Sequence, residues 1–208
     1  LKQWFLKITA YADELLENLD TLDWPAKTKH MQKNWLGKSV GAEIKFPIKN
    51  NSSTIPVFTT RPDTIYGATY IDLAPEHKLG REITTKENSL KIDGYILESR
   101  KKSDIERSAS DKEKTGVFTG SYAINPFNNR EIPIWVSDYV LISYGSGAIM
   151  AVPGGDERDF EFAKKFKLPI QAVTSKDGAS GDLNSCFPDL GICINSGDLD
   201  GLSSEDAK

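Results

Sequence analysis

Apolar residues first recur at steps of four and three: Trp4, Ile8, Tyr11, Leu15 and Leu19 form one stripe of an amphipathic helix. Asp20 and Thr21 end it. Pro25 suits the first turn of a second helix, which runs to Leu36 and stops at Gly37. The period then falls to two. Val40, Ala42, Ile44, Phe46 and Ile48 alternate with Ser39, Gly41, Glu43 and Lys45, as in a half-buried strand. The polar run Lys49 to Ser53 predicts a turn, and Ile55 to Thr60 the partner strand of a hairpin. Gly67 allows a further reversal before a strand at Ala68 to Leu73, and Pro75 opens a short helix around His77 and Leu79. Residues 84 to 115 turn polar, with Lys101, Lys102, Asp104, Glu106, Arg107, Asp111, Lys112, Glu113 and Lys114, and mixed charge of this kind predicts solvated helix faces. Strands resume at Val117 to Ile124, Ile132 to Val136 and Tyr139 to Ser143, the first two separated by a turn at Asn125 to Asn129. A Gly-rich stretch over 145–153, a helix from Asp156 to Phe166 and a strand at Ile170 to Val173 complete the pattern.

Hairpin-linked strands decorated by helices predict an α+β fold built on an antiparallel, barrel-like domain. Residues 1–37 read as a helical connector to a larger parent, and 38–208 as the barrel-like domain. Trp4 and Trp35 ride on the apolar sides of the two connector helices, which as an isolated pair have little to pack against. Leu1 begins mid-pattern without an initiator Met, and Ser203-Ser204-Glu205-Asp206 looks like a helix cap whose helix is cut off at Lys208. Both ends read as truncated.

Composition narrows the class. At 208 residues, 38% hydrophobic and 27% charged, the chain suits a globular domain that folds without disulfides or metal. No apolar run approaches the roughly 20 residues of a spanning helix, and no signal region precedes the pattern, so an intracellular origin is expected. Cys186 and Cys193 match neither a redox pair nor a zinc set and read as reduced structural thiols. A net charge of −4 argues against a stand-alone nucleic-acid binder.

Candidate chemistry concentrates in two stretches. Thr59-Thr60-Arg61-Pro62-Asp63-Thr64 is a strand end running into a Pro-bent loop that carries hydroxyls and a guanidinium. Each Thr could instead satisfy loop amides. Arg61, held extended before Pro62, could hold a phosphate or a carboxylate, or pair with Asp63. Tyr144-Gly145-Ser146-Gly147-Ala148-Ile149-Met150-Ala151-Val152-Pro153-Gly154-Gly155-Asp156-Glu157-Arg158-Asp159 is a Gly-rich strand, a turn and an acidic helix start. Asp156 suits a cap and Asp159 a box-like arrangement, and a carboxylate there is favoured in its ionised form, as a site for an amino group requires. His30 and His77 have no nucleophile motif beside them, and no triad can be assembled.

These two motifs, with the opening segment Gln3 to Asp13 and the run Met31 to Ser39, resemble the editing domain (connective peptide 1) inserted in bacterial-type leucyl-tRNA synthetases. The resemblance implies post-transfer editing: hydrolysis of the ester joining a wrong amino acid, of isoleucyl, norvalyl or methionyl type, to the 3′ end of tRNA(Leu), with cognate leucyl-tRNA spared. Such a second sieve is needed because a methylene is worth only about 1 to 3 kcal/mol in a synthetic site. By this likeness Thr59 and Thr60 lie at the scissile ester and Asp159 holds the substrate ammonium. Thr64 is the stiff wall that excludes leucine. Met150 and Val152 line the pocket, Tyr144 and Arg61 sit near the terminal adenosine or support the pocket, and Asp156 belongs with the substrate-binding set. Catalysis is expected by a positioned water helped by the terminal ribose hydroxyl. The resemblance implies no metal and no cofactor here, ATP and Mg²⁺ belonging to the parent, whose H-I-G-H and K-M-S-K-S signatures do not occur in this chain. The expected partner is the aminoacylated 3′ end of tRNA(Leu), engaged by a monomer in the cytoplasm or an organelle, without membrane contact. Gly155 departs from the pattern, since family members often have His there. Asp63 and Met150 favour the leucyl branch over the related editing domains of isoleucyl- and valyl-tRNA synthetases. A non-catalytic tRNA-interaction module is the alternative of a different class.

Overall fold

A computed structural model describes residues 4, 6–109, 112–179 and 184–208. Gln3 and Phe5 of the opening segment, and Asp111 of the polar stretch, lie outside these. The chain divides into two compact units, Leu1–Val40 and Gly41–Lys208.

In the first unit the expected single helix is broken into a 3-10 turn (Ile8–Tyr11), α1 (Ala12–Asn18) and another 3-10 turn (Leu19–Thr21). Trp4 lies outside it and is fully exposed, and of Tyr11, Leu15 and Leu19 only Leu19 is buried. The helix α2 (Ala26–Leu36) starts after Pro25 and stops at Gly37, whose left-handed φ of 61° is the ordinary glycine terminator. Trp35 is exposed as well. Two short helices bury too little apolar surface to cover indoles.

The second unit opens with a hairpin. Strand β1 (Ala42–Pro47) pairs antiparallel with β2 (Thr54–Thr59), with Ala42 opposite Thr59. A 3-10 turn (Pro62–Gly67) leads into β3 (Tyr70–Leu73), followed by α3 (Lys78–Glu82), α4 (Ser89–Ser99) and α5 (Asp104–Ser108). Next come β4 (Gly116–Ile124), β5 (Glu131–Ser137), β6 (Ala148–Ala151), α6 (Glu157–Phe166) and the short pair β7 (Thr174–Ser175) and β8 (Ile192–Cys193). The central sheet runs β4-β5-β3-β6. The hairpin bridges its edges: Ile48 pairs with Ala123 beyond β1, and β2 lies alongside β6. The α+β, barrel-like fold therefore holds, with one difference. Strands β3 and β5 are parallel, because β4 is interposed as an antiparallel partner of β5 after three helices have carried the chain back.

Two further expectations change. Tyr139–Ser143 is a run of turns, not a strand, because Arg107 takes the carbonyls of Asp138 (2.8 Å) and Val140 (2.7 Å) that a ladder would use. Arg107 and Lys114 are themselves buried, so that part of the polar stretch is no solvated face; Arg107 also pairs with Glu76 at 2.7 Å. Nor is Ile170–Val173 a strand. Asn195 caps the Ala172 carbonyl at 2.9 Å, and pairing begins only at Thr174.

The barrel interior is filled by Phe46, Ile55, Val57, Ile71, Leu73, Ile134 and Val136. A second cluster packs α6 on the outer face, with Phe162 stacked 5.2 Å from Tyr70. Burying each such side chain contributes about 1.5–3 kcal/mol.

Candidate active site

The site begins where β2 ends. The Arg61 amide donates to Thr59 Oγ1 (3.0 Å), and Thr64 Oγ1 donates back to the Arg61 carbonyl (2.9 Å). Both hydroxyls thus shape the loop as well as face a cavity. Having accepted one bond, the Thr59 hydroxyl still has its proton to donate. Thr60 is exposed, and among the described residues its hydroxyl has no protein partner. Of the alternatives open for Arg61, the structure shows the ion pair: its Nε and Nη2 grip the fully buried Asp63 carboxylate at 3.0 and 2.9 Å, and Nη1 reaches the Pro188 carbonyl at 3.3 Å. Three of its five N–H donors are thereby engaged within the protein.

Opposite, β6 supplies Met150, followed by Val152, and Asp156 caps α6. Its Oδ1 accepts the amides of Arg158 (2.9 Å) and Asp159 (3.2 Å), and its Oδ2 the Arg158 guanidinium (3.0 Å). Burial works against its ionisation, but Arg158 and the helix amides outweigh burial and hold the carboxyl below its ordinary range. Asp159 is the converse. It is buried, its Oδ2 accepts the Val152 amide at 2.8 Å and its Oδ1 the Tyr139 hydroxyl at 3.0 Å. Desolvation first, and the Asp156 charge second, push it up to about 8 despite those bonds.

All nine candidate residues (Thr59, Thr60, Arg61, Thr64, Tyr144, Met150, Val152, Asp156 and Asp159) line one cavity of about 160 Å³, with Phe58, Ile149, Gly155 and Arg158. Among the described residues no group of His, Cys, Asp or Glu is placed to hold a metal.

The model of the family described as leucyl-tRNA synthetase, editing domain, matches residues 33–208. The chain belongs to that family. It is 55% identical, over its whole length, to a leucine–tRNA ligase of Clostridium beijerinckii, of which it spans 25%. It also resembles the enzyme in the crystal structure of the ternary complex of Agrobacterium radiobacter K84 agnB2 LeuRS-tRNA-LeuAMS, with a TM-score of 0.70 and 41% identity over 82% of this chain and 21% of that one. The family match selects the leucyl branch over its isoleucyl and valyl relatives.

Sequence reasoning passed over Arg158, although an Arg two residues past an N-cap Asp is a legible pairing signal. It passed over Tyr139 for a deeper reason, since only the fold brings that residue to Asp159. At Gly155, where the family often has His, an added Cβ would meet nothing closer than 3.7 Å, so the backbone there accepts a side chain's first carbon in ordinary contact. Cys186 and Cys193 are free thiols pushed up first by burial. His77 Nδ1 accepts the Leu79 amide at 3.2 Å, a helix cap.

Proposed function

We propose that this domain hydrolyses the ester of misacylated tRNA(Leu) by positioning water, and spares leucyl-tRNA(Leu). The observation that carries the reading is the convergence of hydroxyls, an acid and an apolar wall on a single cavity. The Thr59 and Thr60 hydroxyls donate to the oxygen on which charge develops as water attacks the ester carbonyl. Asp159 takes the substrate ammonium. A cation at that point favours the ionised carboxylate, so substrate and charge arrive together. Thr64, with its hydroxyl committed to the Arg61 carbonyl, stands in one rotamer and excludes the leucyl side chain. Met150 and Val152 form the apolar wall, and half-exposed Tyr144 offers its ring to the terminal adenosine. Arg61 acts by supporting the Thr loop through Asp63, and Asp156 by capping α6 beneath the substrate.

In this reading residues 1–37 connect the domain to the parent synthetase, which keeps the ATP and Mg²⁺ chemistry. The domain itself works as a cytoplasmic monomer without a cofactor. A partner tRNA is supported by the relative whose structure was solved with tRNA.

The test is release of labelled amino acid from isoleucyl-, norvalyl- and leucyl-tRNA(Leu). The unaltered chain should clear the first two selectively. Asp159→Ala should lower the rate by 10²-fold or more, on the order expected for losing a positioning contact, and Thr64→Ala should extend hydrolysis to leucyl-tRNA(Leu). Unselective release by the unaltered chain would refute the reading.

A further inference from the structure

Behind the cavity lies a second buried carboxyl that the mechanism above leaves unused. Asp72 sits on β3, two residues from Tyr70 and so on the same face of the strand, with no exposed surface. It faces the hydroxyls of Tyr139 and Ser137, yet neither of its oxygens completes a hydrogen bond. An unsatisfied buried carboxyl is costly and rare. Between Asp72 and the cavity stands Tyr139, which donates to Asp159 Oδ1 at 3.0 Å and lies 3.4 Å from the Tyr70 hydroxyl; Tyr70 in turn donates to the Asp159 carbonyl at 3.0 Å.

We propose that Tyr139 and Asp72 are positioning residues for Asp159: the Tyr139 hydroxyl orients and stabilises its carboxylate, the buried Asp72 behind opposes that charge, and together they set when the pocket meets a cationic substrate with a negative group. This deepens the editing role proposed above and rests on it. Burial lifts Asp72 to about 7 and Asp159 to about 8, so the two titrate close together and near neutrality. The groups facing Asp159 are Asp156 at the N-cap of α6, Arg158 on α6, Tyr139 from the turn after β5, and Tyr70 and Asp72 on β3. Those facing Asp72 are Tyr139, Ser137, Tyr70 and Asp159. Tyr70 and Tyr139 are both pushed well above the ordinary phenol range, by burial first and by these acids second, so they remain donors throughout.

The experiment follows the Asp carboxyl carbons by NMR through pH in the 208-residue chain, in Tyr139→Phe and in Asp72→Asn, beside the pH profile of isoleucyl-tRNA(Leu) hydrolysis. Both substitutions conserve volume, and circular dichroism checks that each variant is folded. Tyr139→Phe removes a donor to the charged form and should raise the Asp159 midpoint by about one unit or more. Asp72→Asn removes a neighbouring charge, so it should lower that midpoint and leave one carboxyl titrating near neutrality in place of two. The hydrolysis profiles should shift with them, in opposite directions for the two variants, which a merely structural role would not produce. Wild-type carboxyl titration of Asp159 in both variants overturns the proposal. Absence of hydrolysis by the unaltered chain at every pH counts against the editing reading instead, and the carboxyl titration still decides the Asp72–Tyr139–Asp159 relation.

Discussion

At the scale of single residues, carboxyls in and around the cavity are shifted in opposite directions. Asp156 and Asp138 are each penalised by burial but held down by cations, Arg158 for the first and Lys102 and Lys112 for the second. Asp72 and Asp159 are raised, by burial above all. A raised acid binds its proton more tightly folded than unfolded, so the native state carries the extra protons between an unfolded value of about 4 and the folded values, and stability falls as pH rises through that window. The depressed pair acts the other way, contributing stability above about pH 4 that is lost below it. Urea unfolding should therefore show greatest stability at about pH 4 and a decline of several kcal/mol by about pH 8. Asp72→Asn should flatten that decline, and a pH-independent urea midpoint over the range would refute the assignment.

At the scale of elements, the hairpin, α2 and α6 were legible because turn chemistry and periodicity act within a few residues. Ala42 pairs with Thr59 as the alternation requires, and Asp156 caps α6 as its place after two glycines suggests. Gly41 is part of that geometry: a Cβ there would lie 2.2 Å from the Thr59 carbonyl oxygen, so Gly41→Ala should push the β2 end outward. Its expected cost is about 1–3 kcal/mol, with hydrolysis falling alongside, since Thr59 moves. Gly155→Ala is the control, meeting only ordinary contacts, and its unfolding free energy should stay within about 0.5 kcal/mol of the parent. Thermal melts separate the two; equal destabilisation would show that the strand end is not held by this approach. The turns at Tyr139–Ser143 were illegible for the opposite reason. Their carbonyl partner is Arg107 on α5, and nothing in the local apolar pattern announces it.

At the scale of the whole molecule, both apolar clusters lie within residues 41–208. That segment expressed alone should fold and melt cooperatively, with the near-ultraviolet signal of Trp135 packed against Phe162 and Phe166. A non-cooperative melt would show that the first unit is required. The hairpin, α2, α6 and the α+β class were set by the sequence, because local periodicity and turn residues act within a few positions; Thr59–Thr64 and Tyr144–Asp159 stood out there through the resemblance their motifs carry. Tertiary structure alone decided that β3 and β5 run parallel, that Arg107 and Lys114 are buried, that Arg61 is committed to Asp63, and that Asp159 shares its environment with Tyr139 and Asp72. Desolvation and charge coupling depend on distances between segments far apart in the chain, and only the fold sets those distances.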